Sequence, residues 1–122
     1  MATRVRTRPL FILPAVLLVP ALAVAAWRYH TRPLPFDSAR WRSGDAVLRY
    51  RMKDSLRAKY DAGRFSTRDA IDAALGPDDD REDDPRKREF RLREPGITGS
   101  PWYLFITFDE QGNVERFMIN VS

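Results

Sequence analysis

Few residues of this 122-residue chain could do catalytic chemistry. The chain has one histidine, His30, and no cysteine, which excludes disulfides, thiolate metal sites, cysteine nucleophiles and lipid attachment through an N-terminal cysteine. A serine nucleophile such as Ser66 or Ser100 would need a lysine or a carboxylate as its base, and Ser66 is better explained as a helix cap. We therefore predict that the protein is not an enzyme and uses no cofactor.

The acidic run over residues 78–84, Asp-Asp-Asp-Arg-Glu-Asp-Asp, is the strongest candidate for a metal site. Hard cations such as Ca²⁺ take several carboxylate oxygens as ligands. An EF-hand loop, however, requires acids at alternate positions, a central glycine and a terminal glutamate, and the run lacks this spacing. We interpret the run as a solvated, mobile loop and predict no metal site.

Charge is segregated along the chain. Residues 28–64 carry ten Lys or Arg and four Asp, whereas residues 65–85 carry two Arg and eight acidic residues. This pattern favours pairing between a basic helix and an acidic loop. The alternative is binding of anionic lipid or nucleic acid through five helix cations: Arg49, Arg51, Lys53, Arg57 and Lys59. Because Asp54 interrupts these cations, no nucleic-acid partner is expected.

The N-terminal stretch Leu10–Trp27 contains no charged residue. As a helix it would be about 27 Å long, close to the roughly 30 Å of a bilayer's hydrocarbon core. Arg8 and Arg28 flank the stretch and can reach the lipid headgroups. We predict a membrane helix that remains attached as a signal anchor. The alternative is a cleaved signal peptide, because Ala23-Val24-Ala25 has the small-x-small pattern that signal peptidase accepts.

Three segments follow from this interpretation. We expect a signal anchor over residues 1–30, an extended proline-containing linker over 31–36, and one folded domain over 37–122. The whole chain has 21 Lys and Arg, of which Arg4, Arg6 and Arg8 precede the apolar stretch, and this leaves 18 against 17 acidic residues. The chain after the apolar stretch is therefore close to neutral.

Two helices are predicted in the domain. The first begins at an Asp45 or Ser43 cap and ends at Gly63. It places apolar residues at every fourth position: Leu48, Met52, Leu56 and Tyr60. The second begins with Ser66 as its N-cap and Asp69 as the acid of a capping box, and it ends at Gly76.

Three strands follow. Lys87–Arg93 alternates apolar and charged residues, as in a half-exposed edge strand. Trp102–Phe108 is aromatic and β-branched, and Val114–Val121 follows after a short connection. We predict an α+β fold in which two helices pack on a three-stranded antiparallel sheet, in the order α-α-β-β-β.

The register of the last two strands defines a candidate binding surface. Pairing Phe108 with Asn113 places Phe117, Ile119 and Val121 on the same face as Trp102, Leu104 and Ile106. It predicts a four-residue loop over 109–112. The opposite face then gathers four candidate partner-binding residues: Tyr103, Phe105, Met118 and Arg116. The alternative interpretation is an ordinary solvent-facing side of a sheet.

The order of these elements and several short motifs resemble a known family. The second helix ends in Leu75-Gly76-Pro77-Asp78, and the last hairpin has Phe108-Asp109 before Gly112-Asn113-Val114. Together with Ser66 at the entry to the second helix, these residues resemble the SmpA/OmlA (BamE-like) domain, a small bacterial envelope module. The resemblance covers residues 63–121. The family's lipobox cysteine is absent here, so lipid anchoring does not carry over.

The resemblance implies a non-catalytic interaction module that supports envelope or outer-membrane assembly. The resemblance implies an envelope location, and together with the uncharged N-terminal stretch it predicts a single-pass protein of the bacterial inner membrane with its C-terminal domain in the periplasm. A periplasmic or secreted protein is expected instead if the N-terminal segment is cleaved. The expected partner is another envelope protein or a second copy of the chain.

Overall fold

The computed structural model describes residues 20–25, 27, 31–79 and 84–121. The chain forms two compact units, Met1–Arg32 and Pro33–Ser122. The second unit is α+β, as predicted, and its three strands form an antiparallel sheet in the order β1-β2-β3, but its described residues form three helices rather than the predicted two. Its elements are α1 (Ser38–Arg42), α2 (Ala46–Asp61), α3 (Arg68–Leu75), β1 (Lys87–Arg93), β2 (Pro101–Phe108) and β3 (Val114–Val121).

Most of the predicted membrane helix falls outside the described residues. Residues 20–25 are helical, as are Trp27 and Thr31, and the Thr31 hydroxyl donates to the Trp27 carbonyl at 2.9 Å. Within the part of the chain that the structure describes, no helix is both long enough and apolar enough to cross a membrane.

The segment predicted as a linker contacts α2. The Leu34 N–H donates to the Arg51 carbonyl at 2.8 Å, and the Phe36 N–H donates to Ser55 Oγ at the same distance. Both apolar side chains pack against the core. Leu34 and Phe36 are therefore already part of the folded second unit before α1 begins.

Helix α2 has the cap and the apolar face that its sequence predicts. The Asp45 side chain accepts the N–H groups of Val47 and Leu48 at 3.0 and 3.2 Å. Met52 and Leu56 are fully buried, and Leu48 and Tyr60 pack against the core at either end. The helix ends at Asp61, and Gly63 follows with φ +83°, a conformation that a glycine adopts without strain.

Helix α1 has five residues, too few for a hydrophobic repeat to predict it from the sequence. Its side chains form hydrogen bonds with the C-terminal end of α3. The Asp37 side chain caps α1 by accepting the Arg40 N–H at 3.0 Å. Ser38 Oγ donates to the Ala74 carbonyl at 2.6 Å, and the Arg42 guanidinium donates to the Ala73 carbonyl. These carbonyls lie in the last turn of α3, where helix carbonyls lack intrahelical partners.

The predicted N-cap of α3 is wrong by one residue. Thr67, rather than Ser66, is the cap, and its side chain accepts the Ala70 N–H at 3.2 Å. The reason is that Ser66 is held in an extended segment, where its carbonyl accepts the Val114 N–H at 2.8 Å. The predicted end of the helix is confirmed, because Gly76 is the C-cap.

The predicted register between β2 and β3 is also wrong, although its faces are right. Phe105 lies opposite Met118 and Leu104 opposite Ile119, a shift of two residues from the predicted pairing. A shift of two keeps every side chain on its predicted face, because side chains alternate with a period of two. Val121 lies on the predicted face but is 55% exposed.

A β-bulge explains the shift. Thr107 pairs with Arg116 and Phe108 with Val114, so Glu115 is an extra residue on β3. The connection is one residue longer than predicted, and the side chain of Asp109 stabilises it by accepting two backbone N–H groups, from Gln111 and Asn113, at 2.9 Å.

The core lies between the helices and one face of the sheet, which we call the inner face. Tyr60 of α2 stacks on Phe117 of β3 with 4.3 Å between ring centroids, and Trp41 of α1 meets Phe90 of β1 edge to face at 5.6 Å. The buried apolar residues are Trp41, Met52, Leu56, Ile71, Leu75, Phe90, Leu92, Leu104, Ile106, Phe108 and Phe117.

Candidate functional site

The side of the sheet turned away from the core, which we call the outer face, is formed by alternate residues of the three strands. In β2 and β3 the buried inner-face residues Leu104, Ile106 and Phe117 fix which neighbours point outward. Strand pairing aligns the outer-face residues in three rows: Arg91 with Tyr103 and Asn120, Glu89 with Phe105 and Met118, and Lys87 with Thr107 and Arg116.

The four predicted partner-binding residues lie together on this face. Phe105 and Met118 are direct cross-strand neighbours, and Tyr103 lies two residues along the same strand as Phe105. All three side chains are half-buried, whereas Arg116, in the next row, is exposed. They share a face because side chains alternate between the two faces of each strand. Their role in binding a partner stays a prediction.

The outer face also carries arginines that sequence reasoning assigned only to an edge strand. Arg91 lies opposite Tyr103, and Arg93 lies opposite Pro101 at the end of the sheet. Arg91, Arg93 and Arg116 are exposed, and within the described residues none of them forms an ion pair. The alternation of β1 places Glu89, Arg91 and Arg93 on one face, but only the pairing with β2 places the two arginines beside Tyr103 and Pro101.

One acid, Glu89, interrupts this basic surface. It is half-buried and lies opposite Phe105 in the middle row. The arginines therefore lie at two ends of the face, with Arg91 and Arg93 at one and Arg116 at the other. The centre is apolar and aromatic.

A cavity of about 280 Å³ lies where β1 leads into β2. It is partly open, and its lining includes Arg91, Arg93 and Tyr103 of the outer face. The other lining residues are Ala46, Leu92, Gly99, Pro101 and Trp102. The outer face is thus bordered by a concave region at its arginine-rich end.

The five cations predicted as an alternative binding surface on α2 do not form one solvated stripe. Arg49 is buried, contrary to the prediction, and its Nη1 lies 2.7 Å from Asp79 Oδ2. Arg57 donates to the Phe117 carbonyl at 2.6 Å, and Lys53 Nζ lies 4.7 Å from the ring centroid of Tyr50. These side chains are engaged within the fold.

The beginning of the acidic run is not a solvated loop. Asp79 donates its N–H to the Glu89 carbonyl at 2.9 Å, and its carboxylate accepts the Arg91 N–H at 2.8 Å. Asp78 accepts the Glu89 N–H through its side chain at 3.2 Å. These contacts cover the outer edge of β1, where backbone groups would otherwise lack partners. The middle of the run, residues 80–83, lies outside the described residues.

Within the described ranges, no group of three or more Asp, Glu or His side chains is arranged to hold a metal ion. Ser66, the one serine singled out both as a candidate nucleophile and as a cap, contributes its carbonyl to the start of β3. The outer face is the surface on which the structure brings the predicted site residues together.

No family model, curated protein or solved structure matches the chain.

Proposed function

We propose that this chain is a non-catalytic interaction module that binds a partner protein through the outer face of its sheet. One observation carries the proposal: Tyr103, Phe105 and Met118 form a half-exposed apolar centre beside arginines that have no ion pair among the described residues. Aromatic residues, methionine and arginine are enriched at the centres of protein interfaces, whereas lysine and acids are depleted there. Tyr103, Phe105, Met118 and the three arginines fit that pattern, whereas Glu89 and Lys87 of the same face do not.

The outer face is a better candidate than α2 for this role. Arg49 and Arg57 of α2 contact groups inside the fold, so their transfer to a phosphate would break those contacts. A substitution on the outer face, in contrast, leaves the inner-face residues in place. A partner can therefore bind there without disturbing the core.

We further propose that the chain is an envelope protein related to the SmpA/OmlA domains. The motif residues support this: α3 ends at Leu75 and Gly76, and Asp109 and Gly112 form the turn of the last hairpin. The uncharged stretch over residues 10–27 supports a single membrane anchor. The resemblance to envelope domains favours a bacterial inner-membrane protein with the second unit in the periplasm.

Photocrosslinking in living cells tests the proposed surface. A photoreactive amino acid replaces Phe105 in the full chain, and a matched probe replaces Ala58, which is exposed on α2. We expect a discrete crosslinked protein from position 105 and none from position 58, because the outer face is the binding surface. A product from position 58 alone would assign binding to the basic helix and overturn the proposal.

A further inference from the structure

The outer face has an uneven distribution of charge that constrains what it binds. Among its described strand residues, the exposed cations are Arg91, Arg93 and Arg116, the half-buried Lys87 lies in the row of Arg116, and Glu89 is the acid that strand pairing places between the two ends. A complementary surface must carry negative charge at two places and avoid it next to Glu89. The charge pattern therefore favours a ligand with two separated negative groups over a uniformly anionic one.

We infer that the outer face recognises an amphipathic acidic segment of the partner protein, with acids at its two ends and an apolar side chain between them. The acids pair with Arg91 and Arg93 at one end and with Arg116 at the other. The apolar side chain packs on Phe105 and Met118. This inference rests on the proposed function and adds the chemistry of the partner to it.

The spacing of the strands sets the size of that segment. Arg91 and Arg116 are two strands apart and differ by four residues along the strand direction, from the row of Tyr103 to the row of Thr107. With about 4.8 Å between strands and about 3.4 Å per residue, their Cα atoms are roughly 17 Å apart. A helix covers this distance in about 11 residues and an extended chain in about five. The two acidic ends of the segment should have a matching separation.

Arginine is suited to this recognition. Its planar guanidinium forms two parallel hydrogen bonds with one carboxylate. Exposed charges at the rim of an interface mainly raise the association rate and make it depend on salt, whereas a desolvated centre supplies most of the affinity. Phe105 and Met118 are expected to provide that centre, and the arginines are expected to fix the orientation of the segment.

Glu89 favours a protein segment over a continuous polyanion. A single-stranded nucleic acid or an anionic lipid surface carries phosphates at short, regular intervals, and some of them would face Glu89. A peptide can place an apolar residue there. A second copy of the same face is also unsuitable, because Arg91, Arg93 and Arg116 would meet like charges.

Selection of peptides tests the inference. Random 16-residue peptides displayed on phage are selected on the full chain in nanodiscs, after removal of those that bind empty nanodiscs. We expect enriched peptides with two acidic clusters around an apolar residue. Enrichment of neutral or basic peptides, or no enrichment, would overturn the inference. Tighter binding of a twelve-residue oligothymidylate or of anionic vesicles than of the best peptide would overturn it as well.

Charge reversal then assigns the contacts. For the best synthetic peptide, Arg91→Glu and Arg116→Glu should each weaken binding at least tenfold at low salt. Arg64→Glu is the matched control, because Arg64 is exposed and lies in the connection between α2 and α3. A peptide with lysine in place of its acids should bind the Arg91→Glu, Arg116→Glu double variant better than it binds the wild type. Equal affinity for wild type and both single variants would contradict the assignment.

The two proposals fail in different ways. If the endogenous partner crosslinks to position 105 but its binding is unaffected by charge reversal at Arg91 and Arg116, the interaction surface stands and the acidic segment is wrong. If no partner crosslinks to position 105, the proposed function itself is wrong.

Discussion

Arg49 of α2 forms a buried ion pair with Asp79, the second residue of the acidic run, at a distance of 2.7 Å between Nη1 and Oδ2. The same guanidinium donates through Nε to the Trp41 carbonyl at 3.0 Å and lies 5.4 Å from the ring centroids of Trp41 and Phe90. Asp79 in turn accepts the Arg91 N–H on the edge of β1. One carboxylate thus joins the main helix to the edge of the sheet.

Removal of the Asp79 charge should destabilise the domain. In Asp79→Asn the Arg49 guanidinium stays buried without an anionic partner, and we expect a loss of about 2–3 kcal/mol. The expected loss of stability is at the lower end of the cost of breaking a buried ion pair, or slightly below it, because the Asp79 side chain is 28% exposed. The measurement is the urea midpoint of unfolding.

The matched control for this prediction is Asp54→Asn. Asp54 pairs with Lys53 at 3.1 Å, but its side chain is 76% exposed, so its loss should change stability by less than about 0.5 kcal/mol. Equal midpoints for Asp79→Asn and Asp54→Asn would mean that the buried pair does not hold the helix to the sheet.

Leu75→Ala should destabilise the domain by about 2–5 kcal/mol, because Leu75 is fully buried where α3 meets the core and its truncation leaves a cavity. Val121→Ala is the control, since more than half of Val121 is exposed. Thermal unfolding followed by circular dichroism measures both variants. The packing of α3 described here would be contradicted if Leu75→Ala melted at the wild-type temperature.

Gly99→Ala should disturb the turn between β1 and β2. A Cβ at this position would lie 1.9 Å from the Glu94 carbonyl oxygen, so the backbone must shift. Gly44→Ala is the control, because its Cβ meets nothing within 4 Å, although its φ of +82° adds strain of about 1 kcal/mol. We expect the larger loss of stability at Gly99, measured by urea unfolding. A loss at Gly44 equal to or greater than that at Gly99 would show that the turn relaxes freely.

The mass of the protein purified from whole cells tests the anchor. We expect the full chain, because the uncharged stretch over residues 10–27 is long enough to remain in a bilayer. Intact-mass spectrometry decides the matter. Loss of the first 25 residues would identify the stretch as a cleaved signal peptide and would remove the membrane anchor from the account.

Local signals predicted most of the second unit. The four-residue spacing of Leu48, Met52 and Leu56 predicted α2, and alternation predicted Lys87–Arg93. The connection that contains Gly112 predicted the start of the last strand, Val114–Val121. Such patterns depend only on residues close in sequence. The α+β class and the faces of the sheet could therefore be predicted.

What the sequence did not predict depends on contacts between distant residues. Arg49 is buried because Asp79, thirty residues away, reaches it. Helix α3 begins at Thr67 as N-cap because Val114 binds the Ser66 carbonyl, and the β2–β3 register shifts because of the bulge at Glu115. Asp79 and Val114 lie outside the window of a periodic pattern. The bulge lies within the hairpin, but it breaks the strict alternation that the predicted register assumed.

The candidate site was predicted in part for the same reason. The alternation of side chains along two adjacent strands predicted one shared face for four residues: Tyr103, Phe105, Met118 and Arg116. Arg91 and Arg93 were missed as members of that face, because their position depends on the pairing between β1 and β2. The turn joining those strands contains no simple signal of register.

The central claim is that Phe105 lies at a partner-binding surface and not in the core. The most direct measurement is the amount of partner that copurifies with the full chain carrying Phe105→Asp, with circular dichroism as the measure of folding. Ala58→Asp introduces the same charge on the exposed surface of α2, and Ile106→Asp places it in the core. We predict that Phe105→Asp folds and loses the partner, that Ala58→Asp folds and keeps it, and that Ile106→Asp unfolds, since a buried unpaired carboxylate costs several kcal/mol. A folded Phe105→Asp protein that retains all of the wild-type partner would contradict the account.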